Sequence, residues 1–313
     1  MGIRGKGGKE CLHLPVAPGR NYSTAFMQDF PLEAASRIVR LALEEDIGTG
    51  DLTCRLVLPP GHRSRSRVIA KAAGVLAGMP LAKLVFDQLR MLDPQAGEVS
   101  LNVLVTDGVA VSPRDVVLEL EGPTRAILEG ERTLLNFLQH LSGVATMAQR
   151  YQAAAGATCK VLDTRKTTPG QRMLEKWAIA VGGGSNHRMG LWDAVLIKEN
   201  HAKAAGSVRS AAEKALATKP ATADLILEVR DLDELRSVLD LPLTRVLLDN
   251  FTPDQVAAAL AMRDGCKAAF GLEVSGGITL DTLPAYAKAG AEFASVGALT
   301  HSTLPLDLSL LLE

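Results

Sequence analysis

From Pro31 onward apolar residues recur at helical spacing. In PLEAASRIVRLALEED, Leu32, Ala35, Ile38, Val39 and Ala42 fall on one face with a proline near the first turn, which predicts an amphipathic helix. Short strand-like runs follow, SRVIAKAAGVLAG (66–78), VSLNVLVTDG (99–108) and DVVLELEG (115–122), with a helical insert, AKLVFDQLRML, between the first two. Together they predict a small α+β domain ending near residue 123. The next segment, TRAILEGERTLLNFLQHLSGVATMAQRYQAAA, reads as one or two helices. On the face holding Leu128 and Leu135, helical geometry also places Arg132, with Asn136 and Gln139. An arginine among leucines either snorkels or pairs locally, here with Glu129 or Glu131, or it is placed there for function.

The second half has a different rhythm. Short apolar β-type runs recur about every 20 to 35 residues, several of them separated by Ala-rich helical stretches, as expected of βα units and a parallel sheet. The runs are KVLDTRK, DAVLIKEN, DLILEVRD, RVLLDNF, GLEVSGG and FASVGA, and so many consecutive units favour closure into a barrel. In the first four, the apolar stretch runs directly into charged groups: Asp163, Arg165 and Lys166; Lys198 and Glu199; Glu228 and Arg230; Asp249. Catalytic groups of α/β barrels sit at the C-terminal ends of strands, so these endings can converge on one mouth. The alternative is that each is a solvated strand cap. The last two runs end in Ser275-Gly276-Gly277-Ile278 and Ser295-Val296-Gly297-Ala298, where glycines let backbone N–H groups approach phosphate oxygens. Between the first two runs, GGGSNHRMG (182–190) reads as a flexible polar loop carrying His187 and Arg188. It is not a dinucleotide fingerprint, because no strand precedes it and the spacing is wrong.

Composition narrows the picture. With 47% hydrophobic, 22% charged and 4% aromatic residues, the 313-residue chain is that of a globular protein of about two domains. It lacks the run of about 18 apolar residues that a membrane helix needs. Lys+Arg at 34 against Asp+Glu at 35 gives a net charge of −1, so no global field favours nucleic acid or an acidic membrane. Any anion site must be local. Cys11, Cys54, Cys159 and Cys266 are far apart, without metal-type spacing, which suits structural thiols in a reducing compartment and a cytoplasmic location. Residues 1–26 are Gly-rich and without periodicity, and read as a disordered extension. They lack a secretory apolar core, and Lys6 stands where a myristoylation signal wants Ser or Thr. A transit peptide or an overlong gene start before Met27 would also account for them.

The proposed mouth thus gathers Arg165, Lys166, His187, Arg188 and Lys198, with Glu228 and Asp249 opposite. Such cations repel one another unless a polyanion fills the space. Arginine suits bidentate recognition of carboxylates, and acids beside a phosphate loop suit Mg²⁺. The residues alone point to a carboxylate-bearing substrate joined to a Mg²⁺-bound phosphorylated one.

The stretch DTRKTTPGQRMLEKWAIAVGGGSNHRMGLWDAVLIKENH closely resembles the quinolinate phosphoribosyltransferases, also called carboxylating nicotinate-nucleotide pyrophosphorylases. So do EDIGTGDLT (45–53), ERTLLNFLQHLSGVAT (131–146), LLDNF, EVSGGI and SVGALTHS, an ordered set that covers nearly everything after residue 31. The resemblance implies an α/β protein: an N-terminal α+β sandwich-like domain (27–123), an incomplete α/β barrel (124–300) and a C-terminal segment (301–313) packing back on the first domain. It further implies a homodimer that converts quinolinate and phosphoribosyl pyrophosphate (PRPP) into nicotinate mononucleotide, pyrophosphate and CO₂, a step of de novo NAD biosynthesis. By matching motif, Arg165, His187 and Arg188 would hold the two quinolinate carboxylates and Lys198 would lie between the substrates. Arg132 looks like the arginine this family inserts from the neighbouring subunit. Lys166, Glu228 and Asp249 would serve PRPP and its Mg²⁺, with Ser275, Gly276, Gly277 and Gly297 near the phosphate. Lys198, Glu228 and Asp249 would be catalytic, the two acids binding the metal directly or through water. One departure is visible: many relatives read EVEV where this chain has LILEV, so Ile226 replaces the first acid while Glu228 is kept.

Two rival readings remain at this stage. One is a pyrophosphorylase-like enzyme with another acceptor, as in the molybdenum-transport-associated homologues, and the other a non-catalytic phosphometabolite-binding protein. A nucleotide-type phosphoribosyltransferase is disfavoured, because no apolar strand ends in two adjacent acids followed by a Thr-Gly loop.

Overall fold

The computed structural model describes residues 29–313, so the expected extension over residues 1–26, with Cys11, lies outside the described residues. Helix α1 (Leu32–Ile47) buries Ala35, Val39 and Leu43 along one stripe, while Leu32, at its first turn, stays exposed. Asp51 caps the short α2 (Leu52–Val57) by accepting the Cys54 N–H at 2.9 Å. The expected strand over 66–78 is split: β1 (Arg63–Ala70) ends before a turn, and β2 (Gly74–Val75) leaves the sheet to pair with β4 (Ala110–Val111). In β1 the outward Arg63, Arg65 and Arg67 alternate with inward Ser64, Ser66, Val68 and Ala70, as the pleat requires. With α3 (Pro80–Leu92), β3 (Ser100–Val103) and β5 (Val116–Pro123) the N-terminal layer is nearly complete.

It is completed by the end of the chain. The antiparallel sheet runs β12-β1-β5-β3, where β12 (Leu308–Leu312) pairs with β1 from Ser66↔Leu312 to Ala70↔Leu308. The segment 124–155 is one helix, α4 (Thr124–Ala155), which packs on both sheets. Its Gln139 donates from Nε2 to Leu308 O at 2.9 Å and accepts the Leu306 N–H with its backbone carbonyl at 2.9 Å. Gly143 lets the segment before β12 come close, since a Cβ there would lie 2.3 Å from Leu304 O.

The parallel sheet has β6 (Lys160–Leu162), β7 (Ala194–Ile197), β8 (Asp224–Val229), β9 (Arg245–Asp249), β10 (Gly271–Ser275) and β11 (Phe293–Ser295) in the order β6-β11-β10-β9-β8-β7. Successive strands are neighbours from β7 to β11, and β6 closes against β11. No pairing joins β6 to β7 among the described residues, so the barrel is open there, and β6 instead bridges the segment ahead of β7 from Leu162 to Ser185. The helices between these strands are α5 (Arg172–Val181), α6 (Glu199–Ala205), α7 (Val208–Thr218), α8 (Leu232–Arg236), α9 (Pro253–Gly265) and α10 (Leu283–Lys288), and α11 (Ala298–His301) follows β11.

Register decides what the barrel holds. Parallel neighbours in register share a face, so the pairs Ile226↔Arg245, Glu228↔Leu247, Leu247↔Glu273, Asp249↔Ser275 and Ser295↔Leu162 put the polar residues on one side. The other side, with Leu225, Leu227, Val246, Leu248, Leu272, Val274 and Ala294, is fully buried in the apolar core. An incomplete barrel with an apolar outside and a polar inside is the result. Ile226 is itself buried on that inner face. Among the described residues no helix is long and apolar enough to cross a membrane, and Cys54, Cys159 and Cys266 are free thiols.

Candidate active site

The C-terminal edge of the parallel sheet collects the expected residues. Arg165 and Lys166 follow β6, Lys198 follows β7, Glu228 lies near the end of β8 and Asp249 closes β9. Ser275 closes β10 ahead of Gly276 and Gly277, and Gly297 follows β11. The Glu228 side chain is only 10% exposed, and Lys198 Nζ donates to its Oε2 at 3.0 Å. Its Oε1 accepts the Glu199 N–H, the first of α6, at 3.3 Å. Lys198 is held in turn through its own N–H, which donates to His201 Nδ1 at 3.0 Å. Burial, and then the neighbouring Glu228 charge, raise the Asp249 carboxyl above its ordinary value, against the pull of an Asn250 hydrogen bond, Lys198 and Lys166. These four charged side chains share one field.

The turns beyond are interlocked. Asn250 is left-handed, with φ 58°, and donates its backbone N–H to Ser275 O at 2.8 Å and its amide to Asp249 Oδ2 at 3.0 Å. Gly276, with φ 97°, sits so close that a Cβ would fall 2.1 Å from Asn250 Oδ1, so only glycine fits. At Gly297 a Cβ would lie 3.2 Å from Lys166 Cδ, which places that lysine stem across the turn after β11. Thr300 Oγ1 fixes the same segment by donating to Lys166 O at 2.8 Å.

Two guanidinium groups face this rim. Arg188 is half-buried and donates to Ala194 O at 3.2 Å, while burial and then the charge of Arg165 lower its proton affinity. Among the described residues neither arginine forms an ion pair, and the Asp193 charge acts on Arg188 against burial and Arg165 without reversing them, which leaves both guanidinium groups available to an anion from outside. Arg132 stands apart. It is exposed on α4, and Glu129, one of its possible local partners, is buried and bonded to Arg125 Nε at 2.7 Å. Arg132 makes no hydrogen bond or ion pair with the mouth of its own chain.

Comparisons with known proteins agree over most of the described chain. Residues 51–142 match the model of the quinolinate phosphoribosyl transferase N-terminal domain, and residues 144–311 that of the C-terminal domain. The chain belongs to the quinolinate phosphoribosyltransferase family. A probable nicotinate-nucleotide pyrophosphorylase [carboxylating] of Bacillus subtilis is 39% identical over 268 residues, covering 85% of this chain and 89% of its own. The Mycobacterium leprae nicotinate-nucleotide pyrophosphorylase [carboxylating] is 38% identical, covering 91% and 99%. Among solved structures, the nicotinate-nucleotide pyrophosphorylase from Francisella tularensis superposes with TM-score 0.83 at 36% identity, covering 92% and 99%.

Under the mouth of this quinolinate phosphoribosyltransferase-family chain lies a buried support that sequence reasoning missed. Asp163, read as one of the charged strand endings, is fully buried. Its Oδ1 accepts from Lys176 Nζ and from the His187 N–H at 2.9 Å, and its Oδ2 accepts from Asn186 Nδ2 at 2.6 Å. Lys176 Nζ also donates to His187 O at 2.8 Å. Burial pushes Asp163 up and Lys176 down, each against the attraction of the other. The 182–190 segment is therefore no flexible loop from Asn186 on, because buried charges grip its backbone. His187 is buried as well: its Nδ1 accepts the Arg188 N–H at 2.7 Å and its Nε2 faces Glu273 Oε1 at 3.4 Å. It backs the site from within the barrel. Glu273 is fully buried among His187, Arg245 and Ser295; burial pushes its carboxyl up, but these partners outweigh it and the net direction is down. Two signals were available in the sequence: a lysine inside the apolar run MLEKWAIA, and a glutamate between Leu272 and Val274 in GLEVSGG.

Proposed function

We propose that the chain transfers the phosphoribosyl group of PRPP to the ring nitrogen of quinolinate and releases the 2-carboxylate as CO₂, yielding nicotinate mononucleotide and pyrophosphate. The observation that carries this reading is the pair Arg165 and Arg188, near enough for one charge to act on the other and without an ion pair among the described residues, at the same barrel rim as Lys198, Glu228 and Asp249. A planar diacid offers carboxylates to both guanidinium groups, in the bidentate geometry arginine favours. Lys198, half-exposed and tethered by Glu228, would stand between the two substrates. Lys166 and the glycine turns at 276–277 and 297 receive the phosphate groups of PRPP.

The bonding changes balance. The pyridine nitrogen donates its lone pair to ribose C1 while the C1–O bond to pyrophosphate breaks. The quaternised ring then accepts the electron pair of the C2–carboxylate bond as CO₂ leaves, and C2 takes up a proton. Glu228 and Asp249 face the positive charge that develops at C1, and fixed charges aimed at such a centre are the main catalytic lever available. The same two carboxylates repel each other, which suits a divalent cation completed by substrate oxygens and water. Among the described residues no group of three or more His, Cys, Asp or Glu could hold a metal alone. Mg²⁺, when bound there directly or through water, would neutralise the departing pyrophosphate.

The deciding assay is CO₂ and pyrophosphate release from quinolinate, PRPP and Mg²⁺, with nicotinate and no added acid as controls. Turnover with nicotinate but not quinolinate would overturn the reading.

Arg132, exposed and without an ion pair among the described residues, supports a homodimer in which this residue enters the neighbouring mouth. Arg132→Ala and Lys198→Ala homodimers are then expected to be weak, and mixing them to restore about a quarter of the wild-type rate per site, as random pairing leaves one intact mouth in each mixed dimer. An absence of rescue after verified subunit exchange would argue against a shared site.

Asp249 gives a second expectation. Its folded-state pKa is raised, so its contribution to stability turns unfavourable as pH climbs past the ordinary carboxylate value of about 3.9. Asp249→Asn is expected to abolish turnover yet raise the thermal unfolding midpoint at neutral pH. The gain should shrink as pH falls toward that value, and a lowered midpoint at pH 7 would contradict the electrostatic account.

A further inference from the structure

Glu273 takes no part in the chemistry above, yet it is fully buried in the middle of the barrel. Its two oxygens are handled differently. Oε1 accepts from Ser295 Oγ and faces His187 Nε2 at 3.4 Å, while Oε2 lies 3.2 Å from Arg245 Nη1. Arg245 rises from the start of β9 and stacks over Phe293, with 4.9 Å to the ring centroid, so its charge is held in place on the inner face. A carboxylate with a guanidinium and a hydroxyl donor beside it is an acceptor only. His187 Nε2 makes no hydrogen bond at 3.4 Å, but a buried acceptor is met more favourably by an N–H than by a second lone pair, which puts the proton on Nε2 and the lone pair of His187 on Nδ1.

That lone pair is used. The Arg188 N–H donates to it at 2.7 Å, and a ring protonated at Nδ1 would set two donors against each other at that distance. The main chain of His187 is already clamped on both sides, its N–H to Asp163 and its C=O to Lys176. With ring and backbone both fixed, the next residue leaves in one direction only. Its guanidinium is then steadied by Ala194 O at 3.2 Å.

We propose that Glu273 is a positioning residue for substrate carboxylate binding, selecting the His187 tautomer whose Nδ1 holds the Arg188 backbone in place. The proposal rests on the assignment of Arg188 to the diacid, and it places specificity control two contacts away from the substrate. Ser295 and Arg245 belong to the same device, because they keep the glutamate ionised and aimed.

The test is Glu273→Gln, which keeps the shape but can present an amide donor to Nε2 and so permit the other tautomer. In dimeric, folded enzyme with an unchanged far-UV spectrum, the quinolinate KM is expected to rise about 10- to 100-fold, the scale of a displaced binding group, while the PRPP KM stays within about twofold. Equal changes in both constants, or none, would overturn the proposal. A double-mutant cycle with His187→Asn sharpens this: if Glu273 acts through the ring, the pair together should cost no more than the larger single change. Additive losses would overturn it. A readout independent of both activity and variant folding is the ¹⁵N shift pattern of the histidines in the wild-type protein, with the His187 signals assigned by their loss in His187→Asn. Protonated Nε2 and bare Nδ1 are expected; a proton on Nδ1 would end the proposal even in an active enzyme, whereas a wild-type protein inert toward quinolinate but showing the expected tautomer would instead fault the assigned substrate.

Discussion

An Arg165→Ala enzyme is expected to need far more quinolinate than the wild type. Arg165 lies exposed at the rim without an ion pair among the described residues, so its removal disturbs no internal contact of its side chain. What is lost is a charge-assisted bond to the substrate carboxylate, and Arg188 is left to hold the diacid alone. Such bonds contribute about 1.5–3 kcal/mol, or roughly a 10- to 150-fold rise in KM. The KM for PRPP should hardly move, because Lys166 and the glycine turns are untouched. Arg165→Lys should fall between the two, since an ammonium keeps the charge and loses the planar fork. Steady-state kinetics with each substrate varied in turn checks this; an unchanged quinolinate KM in Arg165→Ala would remove the arginine from the binding site.

The largest effect on stability is expected at Lys176. Its ammonium and the Asp163 carboxylate are both completely buried, and the pair joins the end of β6, helix α5, the Asn186 side chain and the His187 backbone. Lys176→Met fills nearly the same space but leaves the carboxylate with only Asn186 and one backbone N–H. Breaking a buried pair by deleting one partner costs about 3–5 kcal/mol. Denaturant unfolding should show the loss as a lower midpoint with an unchanged slope. Asp163→Asn combined with Lys176→Met should recover part of it, because no uncompensated charge then remains. If the single variant were as stable as the wild type, the pair could not be what grips the His187 backbone.

Much of the architecture was readable one strand at a time. The six apolar runs of the second half end in charge or glycine, and each became a strand whose C-terminal residue meets the others, because a parallel sheet aligns those ends automatically. Arg132 was visible as an arginine out of place on an apolar stripe, and it is exposed there. What could not be read was which charges are used internally. Asp163 and Arg165 stand two residues apart, yet one is fully buried and the other exposed, and only the position of Lys176, thirteen residues on in α5, decides which is which. Glu273 was hidden for a similar reason: alternation assigns it to the inner face, but its partners come from a loop and two other strands. His187 likewise looked like a ligand-facing cation, and the hydrogen bond that occupies its Nδ1 comes from its own neighbour. The split of the 66–78 run follows from a partner outside its neighbourhood, since β2 pairs with Ala110–Val111.

The pairing of Leu308–Leu312 with Arg63–Ala70 also orders events during synthesis. The front half of the polypeptide leaves the ribosome with one side of β1 unsatisfied, and every barrel strand must be translated before the missing edge arrives. Until Leu308–Leu312 emerges, the nascent chain carries an open hydrogen-bonding rim along β1.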